Sequence, residues 1–332
     1  MNYATIKYYD IANGPGVRVS LYVSGCRNHC KGCFNHETWD FAYGNPFTPE
    51  VEEQIFKGME PSFIKGFSLL GGDPFEPENQ LALVGFMERL RKKFPDKSVW
   101  AWTGYGFESD LLAGKKGDPE VTMRLLNCID VLVDGRFVEE LKNPDLLFRG
   151  SANQRMILVK QSLESDELTE LVFETGNFYI RKFVKSDLAA LTKIMAEAKP
   201  MSGIYAPFSA AQTEEFLRDV CIGEGAAFAV QSKADGGLKG CVLLKPVGEK
   251  MFRTGWFFLS GMDEEEVYEA VSAVHTHAFT ECAAVKISAV CTGDDEAAMA
   301  KKLDMKFEGV EHGDNAEGTP EWHIYSVKRG NK

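Results

Sequence analysis

Apolar positions in the first half of the chain fall into short continuous runs separated by segments with helical spacing. Val17-Arg-Val-Ser-Leu-Tyr-Val23 reads as a strand, rich in β-branched and aromatic residues. Thr48-Pro-Glu-Val-Glu-Glu-Gln-Ile-Phe-Lys-Gly58 predicts a helix with Thr48 as N-cap and Pro49 at its first position. Gly66-Phe-Ser-Leu-Leu70 predicts a short buried strand that runs into Gly71-Gly72-Asp73. From Pro77 to Phe94, Leu81, Val84, Met87 and Leu90 recur at helical intervals. Ser98–Trp102, Ile129–Val133 and Arg155–Val159 complete the strands. Strands alternating with helices predict an α/β fold with a parallel sheet, whose turns just beyond the strands share one rim.

The pattern changes after residue 163. Residues 164–177 open with Glu164-Ser-Asp-Glu-Leu-Thr-Glu170 and read as a polar joint between domain 1–163 and domain 178–332. Beyond it, Phe178–Phe183 predicts a strand and Ser186–Met195 a helix. Strands follow at Ala227–Gln231, Gly240–Lys245 and Thr254–Leu259. A helix over Glu264–Glu281, a strand over Val285–Val290 and a helix over Asp295–Leu303 come next. Strands near Phe307–Val310 and Trp322–Val327 end a second, mixed α/β domain.

Length and charge support two domains. The chain has 332 residues, about twice a typical domain. Of the formal net charge of −12, residues 164–332 carry −10 (18 Lys+Arg against 28 Asp+Glu) and the remainder −2. An acidic second half repels phosphates and argues against nucleic acid as a partner. The amino-terminal residues lack an apolar signal core, and no run approaches the ~18 apolar residues of a membrane span. Five of the eight cysteines, Cys128, Cys221, Cys241, Cys282 and Cys291, show no framework spacing and read as small buried residues of a reduced protein. The expectation is a cytoplasmic chain with no membrane partner.

Candidate chemistry concentrates in Cys26-x-x-x-Cys30-x-x-Cys33, directly after the first strand. A [4Fe–4S] cluster takes four thiolates, so three leave one iron open. The alternative is a structural zinc site completed by His29 or His36. Spacing favours the cluster, because zinc knuckles show a second ligand pair and none occurs nearby. Arg27 and Lys31 are expected to help hold the thiols deprotonated, and Gly25 and Gly32 to let the loop curl.

Asn13-Gly-Pro-Gly-Val-Arg-Val-Ser-Leu-Tyr-Val-Ser-Gly-Cys26, followed by Cys30-Lys-Gly-Cys33-Phe-Asn35, resembles the glycyl-radical-enzyme activases of the radical S-adenosylmethionine (SAM) superfamily. Leu70-Gly-Gly-Asp-Pro74 resembles their Gly-Gly-Asp/Glu-Pro motif. Trp100-Ala-Trp-Thr-Gly-Tyr105, Asp130-Val-Leu-Val-Asp-Gly-Arg-Phe137 and Phe148-Arg-Gly-Ser-Ala-Asn-Gln154 narrow the similarity to the branch serving the anaerobic ribonucleoside-triphosphate reductase. The match runs in order from about residue 1 to about residue 161.

The resemblance implies a partial (β/α) barrel of radical SAM type. It implies Cys26, Cys30 and Cys33 as cluster ligands, and Gly32, Cys33, Phe34, Gly71, Gly72 and Asp73 as the SAM-binding residues. Phe34 would meet the adenine, the glycine pair would let backbone approach the methionyl end, and Asp73 would accept from its ammonium. No catalytic side chain is expected beyond the ligands, because the cofactors carry the hard chemistry. Thr103 and Asp134 lie at strand ends where such enzymes contact SAM or their partner, and equally suit caps or turns. The partners implied are the large subunit of the reductase, which receives a glycyl radical, and a low-potential electron donor such as flavodoxin. An activase of pyruvate formate-lyase type is the nearest alternative. Trp102-Thr-Gly-Tyr105 and Gly150-Ser-Ala-Asn-Gln154 count against it.

The element order of residues 178–329 is similar to the N-acetyltransferase (GNAT) superfamily, and Lys301-Lys-Leu-Asp-Met-Lys-Phe307 echoes its Lys-Leu-Gly-Phe segment. That family seats the CoA pyrophosphate on a glycine-patterned loop at a helix start. Here Leu259-Ser-Gly-Met-Asp-Glu-Glu-Glu-Val-Tyr268 has four consecutive carboxylates instead. A like-charge pair at 4 Å costs roughly 1 kcal/mol in water and roughly 4 at intermediate dielectric. The second domain is therefore expected to be a degenerate acetyltransferase used for interaction, the alternative being an active one. His275 and His277 are two apart on one helix, do not share a face, and are not expected to bind metal.

Overall fold

Strand β1 (Asn2–Asp10) runs antiparallel to β2 (Val17–Val23), so that Ile6 faces Leu21 and Lys7 faces Ser20. The computed structural model describes residues 1–197, 209–312 and 321–330. It divides the chain into two units, Met1–Glu170 and Leu171–Lys332. The first unit continues with β3 (Asn45–Pro46), α1 (Pro49–Met59), β4 (Ile64–Gly71), α2 (Pro77–Lys93) and β5 (Ser98–Trp102). It ends with α3 (Pro119–Leu126), β6 (Val131–Asp134), β7 (Arg155–Leu158) and α4 (Val159–Glu164).

These strands form one open sheet in the order β3-β1-β2-β4-β5-β6-β7. The inner strands β2, β4, β5 and β6 are parallel, while β1, β3 and β7 pair antiparallel at the two sides. Parallel strands require crossovers, supplied here by α1, α2 and α3. The carboxyl ends of all four parallel strands consequently lie on one rim, and the cysteine loop follows β2 and the Gly-Gly-Asp turn follows β4 there.

Burial explains the helices. Thr48 and Pro49 start α1 as predicted, and Val51, Ile55, Phe56 and Met59 bury one face. Removing a fully buried side chain such as Ile55 to Ala costs about 2–5 kcal/mol. In α2 the buried face is Leu83, Phe86, Met87 and Leu90, with Val84 at its margin. Leu81, expected there, is 66% exposed. The spacing 83-86-87-90 fits a helical face better, and the polar Asn79 and Gln80 are buried with their amides bonded, Gln80 Nε2 donating to Phe75 O (2.8 Å) and Asn79 Nδ2 to Ser24 O (3.0 Å). β1 and α3 were not anticipated. β1 alternates exposed and half-buried residues rather than showing an apolar run.

Deep in this sheet, Arg18 is fully buried beneath the rim opposite the motifs. It donates to Ser68 Oγ (2.7 Å), Phe67 O (2.8 Å), Ser98 Oγ and Ser98 O (both 2.9 Å). A buried cation is tolerated when its donors are satisfied in this way.

The second unit comprises β8 (Leu171–Glu174), β9 (Phe178–Arg181), α5 (Leu188–Glu197), α6 (Ala210–Glu215), β10 (Ala227–Ser232), β11 (Leu238–Gly248) and β12 (Met251–Phe258). These are followed by α7 (Glu264–Thr280), β13 (Lys286–Cys291), α8 (Asp294–Lys302), β14 (Lys306–His312) and β15 (Glu321–Lys328). Its sheet has the order β14-β15-β13-β12-β11-β10-β9-β8, with β12 and β13 the parallel pair. β8 lies inside the segment expected to be a joint. α6 and the wide helical turn Phe216–Gly223 were also unanticipated. The unit has its own core, including Ile180, Leu191, Val230, Val242, Val274 and Ile287. Of the five other cysteines, Cys282 is exposed rather than buried. Among the described residues, no helix is long and apolar enough to cross a membrane.

Candidate functional site

The loop after β2 carries Cys26, Cys30 and Cys33, all free thiols. Its start is pinned to neighbouring backbone: Gly25 N–H donates to Thr38 O (2.8 Å) and Cys26 N–H to Trp39 O (3.2 Å). Cys26 is buried, and Cys30 and Cys33 are half-buried. Phe34, next in the chain, is 89% exposed.

The turn after β4 meets this loop. Gly72 N–H donates to Val23 O (2.7 Å) and Asp73 N–H to Gly25 O (2.8 Å). Gly71 has φ +117°, and a Cβ on either glycine would strike backbone, Val23 for Gly71 and Gly25 for Gly72. The pair is thus demanded by the contact of the two turns. Gly32, by contrast, lies against the Glu139 carboxylate. Asn79 on α2 fastens the same junction, donating to Ser24 O (3.0 Å) and Asp73 O (2.9 Å).

Asp73 is fully buried. Its carboxylate accepts from Asn28 Nδ2 (2.8 Å), Phe75 N–H (3.0 Å), Gly104 N–H (2.9 Å) and the Thr103 hydroxyl (2.9 and 3.1 Å). A carboxylate offers about four lone-pair sites, and these internal donors take them. Burial raises its pKa to about 6 although the backbone donors at Gly104 and Phe75 oppose the shift. The carboxylate expected to accept from a ligand ammonium accepts from the protein's own donors in this structure. Asp73 ties the cysteine loop, the glycine turn and the end of β5 together. Thr103 belongs to that tie. Asp134, at the end of β6, is equally engaged: it accepts from Phe107 N–H (2.8 Å) and from Arg155 (2.5 and 3.0 Å).

The two basic neighbours do not serve the thiols. Arg27 forms ion pairs with Glu76 and Glu78 (both 2.6 Å), and Lys31 with Glu139 (2.9 Å) and Glu140 (3.3 Å). Glu76 is buried and also accepts from Arg27 N–H and the Tyr105 hydroxyl (both 2.7 Å). Burial, reinforced by the Asp73 carboxylate, pushes the Cys26 thiol up to about 12. Burial likewise raises Cys30. A metal bound to these sulfurs would deprotonate them outright.

Residues outside the expected set complete the environment. Against the rise caused by burial, the backbone and side-chain amide of Asn28 act to lower the Cys26 pKa, and the Phe137 N–H, from the loop after β6, acts to lower that of Cys30. Arg136, beside Phe137, donates through Nε to Asn28 Oδ1 (3.1 Å). Asn28 carries no motif signal, because its role rests on residues distant in sequence. His29 stacks on Trp39, with centroids 4.7 Å apart.

The donor set fits an iron–sulfur cluster: three soft thiols on one loop. Among the described residues no three His, Cys, Asp or Glu side chains close round a single metal ion. A four-iron cluster holds its thiolates at separate corners rather than at one point.

In the second unit, the N-terminus of α7 is closed by its own side chains. Asp263 Oδ1 accepts from Glu266 N–H (2.7 Å), and Glu266 Oε2 from Asp263 N–H (3.2 Å). Lys302 bridges to Glu265 (2.8 Å) and Glu264 (3.1 Å). His277 packs on Phe173 and Phe228, with centroids 5.0 and 5.8 Å away.

Comparison with known proteins agrees with this division. Residues 12–157 match the model of the 4Fe-4S single cluster domain, and residues 177–306 that of the acetyltransferase (GNAT) domain. The anaerobic ribonucleoside-triphosphate reductase-activating protein of Escherichia coli K12 is 44% identical over 156 residues, covering 46% of this chain and 96% of that protein. The protein of the same name from Pasteurella multocida is 44% identical over 158 residues, covering 46% and 95%. A GNAT-family acetyltransferase from Bacillus anthracis covers 47% of this chain and 96% of its own, at 20% identity and a TM-score of 0.42.

Proposed function

The chain belongs, through its first unit, to the family of anaerobic ribonucleoside-triphosphate reductase-activating proteins, and from that membership we propose how its residues act. The first unit is a radical SAM activase whose open sheet serves as a partial (β/α) barrel. Cys26, Cys30 and Cys33 would hold a [4Fe–4S] cluster with one iron left free of protein thiolate. Bound there and reduced, the cluster would supply the electron for reductive cleavage of SAM, the chemistry that leads to hydrogen-atom abstraction from a glycine Cα of the reductase large subunit.

The protein's own contribution is binding, orientation and exclusion of water. Gly71 and Gly72 present backbone to the methionyl end, Gly32-Cys33-Phe34 offers backbone and an exposed ring to the adenine, and Asp73 fixes these segments from beneath. The partners are the reductase large subunit and a low-potential donor of flavodoxin type, in the cytoplasm. The single observation that supports the reading is the junction at which the cysteine loop and the Gly71-Gly72 turn bond backbone to backbone, side by side on one rim of the sheet. Anaerobically reconstituted protein should hold about four irons per chain, cleave SAM when reduced, and generate a glycyl radical on the reductase detectable by electron paramagnetic resonance (EPR). Stoichiometric zinc with no iron uptake overturns it.

The second unit is a GNAT-like domain that has lost acyl-CoA binding and serves interaction or regulation. Supporting this is the α7 N-terminus, where self-capping uses the N–H groups a pyrophosphate would need and adds carboxylates that repel it.

A further inference from the structure

Successive backbone N–H groups at the start of the cysteine loop are bonded to acceptors outside it. Gly25 N–H donates to Thr38 O (2.8 Å), Cys26 N–H to Trp39 O (3.2 Å) and Arg27 N–H to Glu76 Oε1 (2.7 Å). The last acceptor is a side chain, 49 residues along the chain and 1% exposed. The same carboxylate accepts from Arg27 Nη1 (2.6 Å) and from the Tyr105 hydroxyl (2.7 Å). Arg27 is held in turn by Glu78 (2.6 Å) and lies over the Phe41 ring, 4.4 Å from its centroid. Glu76 occupies the N-cap position of α2, ahead of Pro77, yet its side chain makes no bond to that helix. A carboxylate at a helix start ordinarily serves the helix's own N–H groups. This one is turned to the cysteine loop, and its burial is offset by the donors it finds there.

We propose that Glu76 is a positioning residue that holds Cys26 as a preformed corner of the metal site before any metal arrives. Bonds to the N–H groups of residues 26 and 27 fix the peptides on both sides of the Cys26 Cα, and so the direction in which its side chain leaves the backbone. The cost of ordering that ligand is then met in the folded chain rather than at binding. Cys26 is buried beneath this grip, whereas Cys30 and Cys33 are half-buried, and Cys33 N–H bonds within the loop to Cys30 O (3.2 Å). A metal group would seat first on the fixed corner, and the more exposed part of the loop would close on it.

The inference rests on the reading of Cys26 as a cluster ligand, and the experiment has an arm for each. In the metal-free full chain, alkylation of every cysteine by iodoacetamide is followed by peptide mass spectrometry, because reaction of a buried thiol reports how often its surroundings open. Glu76→Ala should speed alkylation of Cys26 roughly ten- to hundredfold, the bond lost being charge-assisted. Cys128, buried in the same unit, should keep its wild-type rate. Glu76→Gln, whose side-chain carbonyl can still accept from the Arg27 N–H, should stay near wild type. Glu76→Asp, charged but one methylene shorter, should follow Glu76→Ala. A wild-type rate at Cys26 in Glu76→Ala overturns the inference, as does a Glu76→Gln rate equal to that of Glu76→Ala, which would assign the effect to charge. If Glu76→Ala also opens Cys128, the other two variants decide: a faster Cys26 in Glu76→Asp alone supports the inference, and equal rates overturn it. After anaerobic reconstitution, Glu76→Asp should lose iron to bathophenanthroline faster than Glu76→Gln, and equal release overturns the inference. Wild-type protein that takes up no iron overturns the cluster reading, while the alkylation rates still decide whether Glu76 holds Cys26.

Discussion

The Asn28 amide donates to the Asp73 carboxylate at 2.8 Å, joining the loop that carries the cysteines to the turn that carries Gly71 and Gly72. Both partners are buried. The bond converts two loops, each at the end of its own parallel strand, into one rigid platform, and a buried charge-assisted bond of this kind is among the stronger ones available.

Asp73→Ala should destabilise the metal-free protein by roughly 3 kcal/mol, because it strands buried donors at Asn28, Phe75 and Gly104. Urea unfolding of the metal-free variant measures this. Unaltered stability combined with weakened SAM binding would instead assign Asp73 to direct contact with the ammonium.

Replacing any one of Cys26, Cys30 or Cys33 by Ala should abolish SAM cleavage, since each supplies one corner of the cluster. Cys128, Cys221 and Cys291 are buried free thiols away from the loop. Their Ala variants should keep wild-type iron content and cleavage, as measured by iron assay and by release of 5′-deoxyadenosine.

A chain truncated after Glu170 should be more stable than one truncated after Leu163. Residues 164–170 return to the first unit: Leu158 N–H donates to Thr169 O (3.0 Å), Thr169 N–H to Ser162 Oγ (2.9 Å), and Leu168 packs on the core. Losing the partly buried Leu168 costs about 1–2 kcal/mol. At about 2–4 °C per kcal/mol for a unit of this size, the shorter chain should melt several degrees lower by calorimetry.

Acetyl-CoA should show no heat of binding to the full chain at millimolar concentration. Binding in the micromolar range, or turnover with an amine acceptor, would show that the carboxylates at 263–266 leave the α7 N-terminus open.

Asp10→Asn should weaken the acid dependence of unfolding. Burial alone would raise the Asp10 pKa, but hydrogen bonds from Ser20, Asn13 and the Ala12 N–H outweigh it and leave the value lowered. A carboxylate depressed in the folded state contributes stability above its unfolded pKa of about 3.9 and loses that contribution as pH falls through its folded value. The variant should therefore be less stable than wild type at pH 7, with the gap narrowing below about pH 4. A gap independent of pH would remove the charge from the explanation.

Much of this protein is legible in its residues, for local reasons. The run Val17–Val23, the Thr48-Pro49 helix start and the helix beginning at Glu264 declare themselves because propensity and capping act within a few residues. The spacing of Cys26, Cys30 and Cys33 carries its chemistry in the same way, since one loop supplies all three thiols. β1 and β8 escaped because half-exposed side strands lack a continuous apolar run, and only pairing with a neighbour makes them strands.

What the tertiary structure decided is where the charges go. By sequence, Arg27 and Lys31 flank the thiols and Asp73 stands ready for a ligand. In three dimensions Glu76, Glu78, Glu139 and Glu140 claim the two cations, and Asn28, Thr103, Gly104 and Phe75 fill the carboxylate. An ionisable group's role is set by whatever lies within a few ångströms, and those neighbours come from strand ends up to 109 residues away, as with Lys31 and Glu140. Motif spacing identifies the atoms that can do the chemistry, but only packing determines which of them remain free to do it.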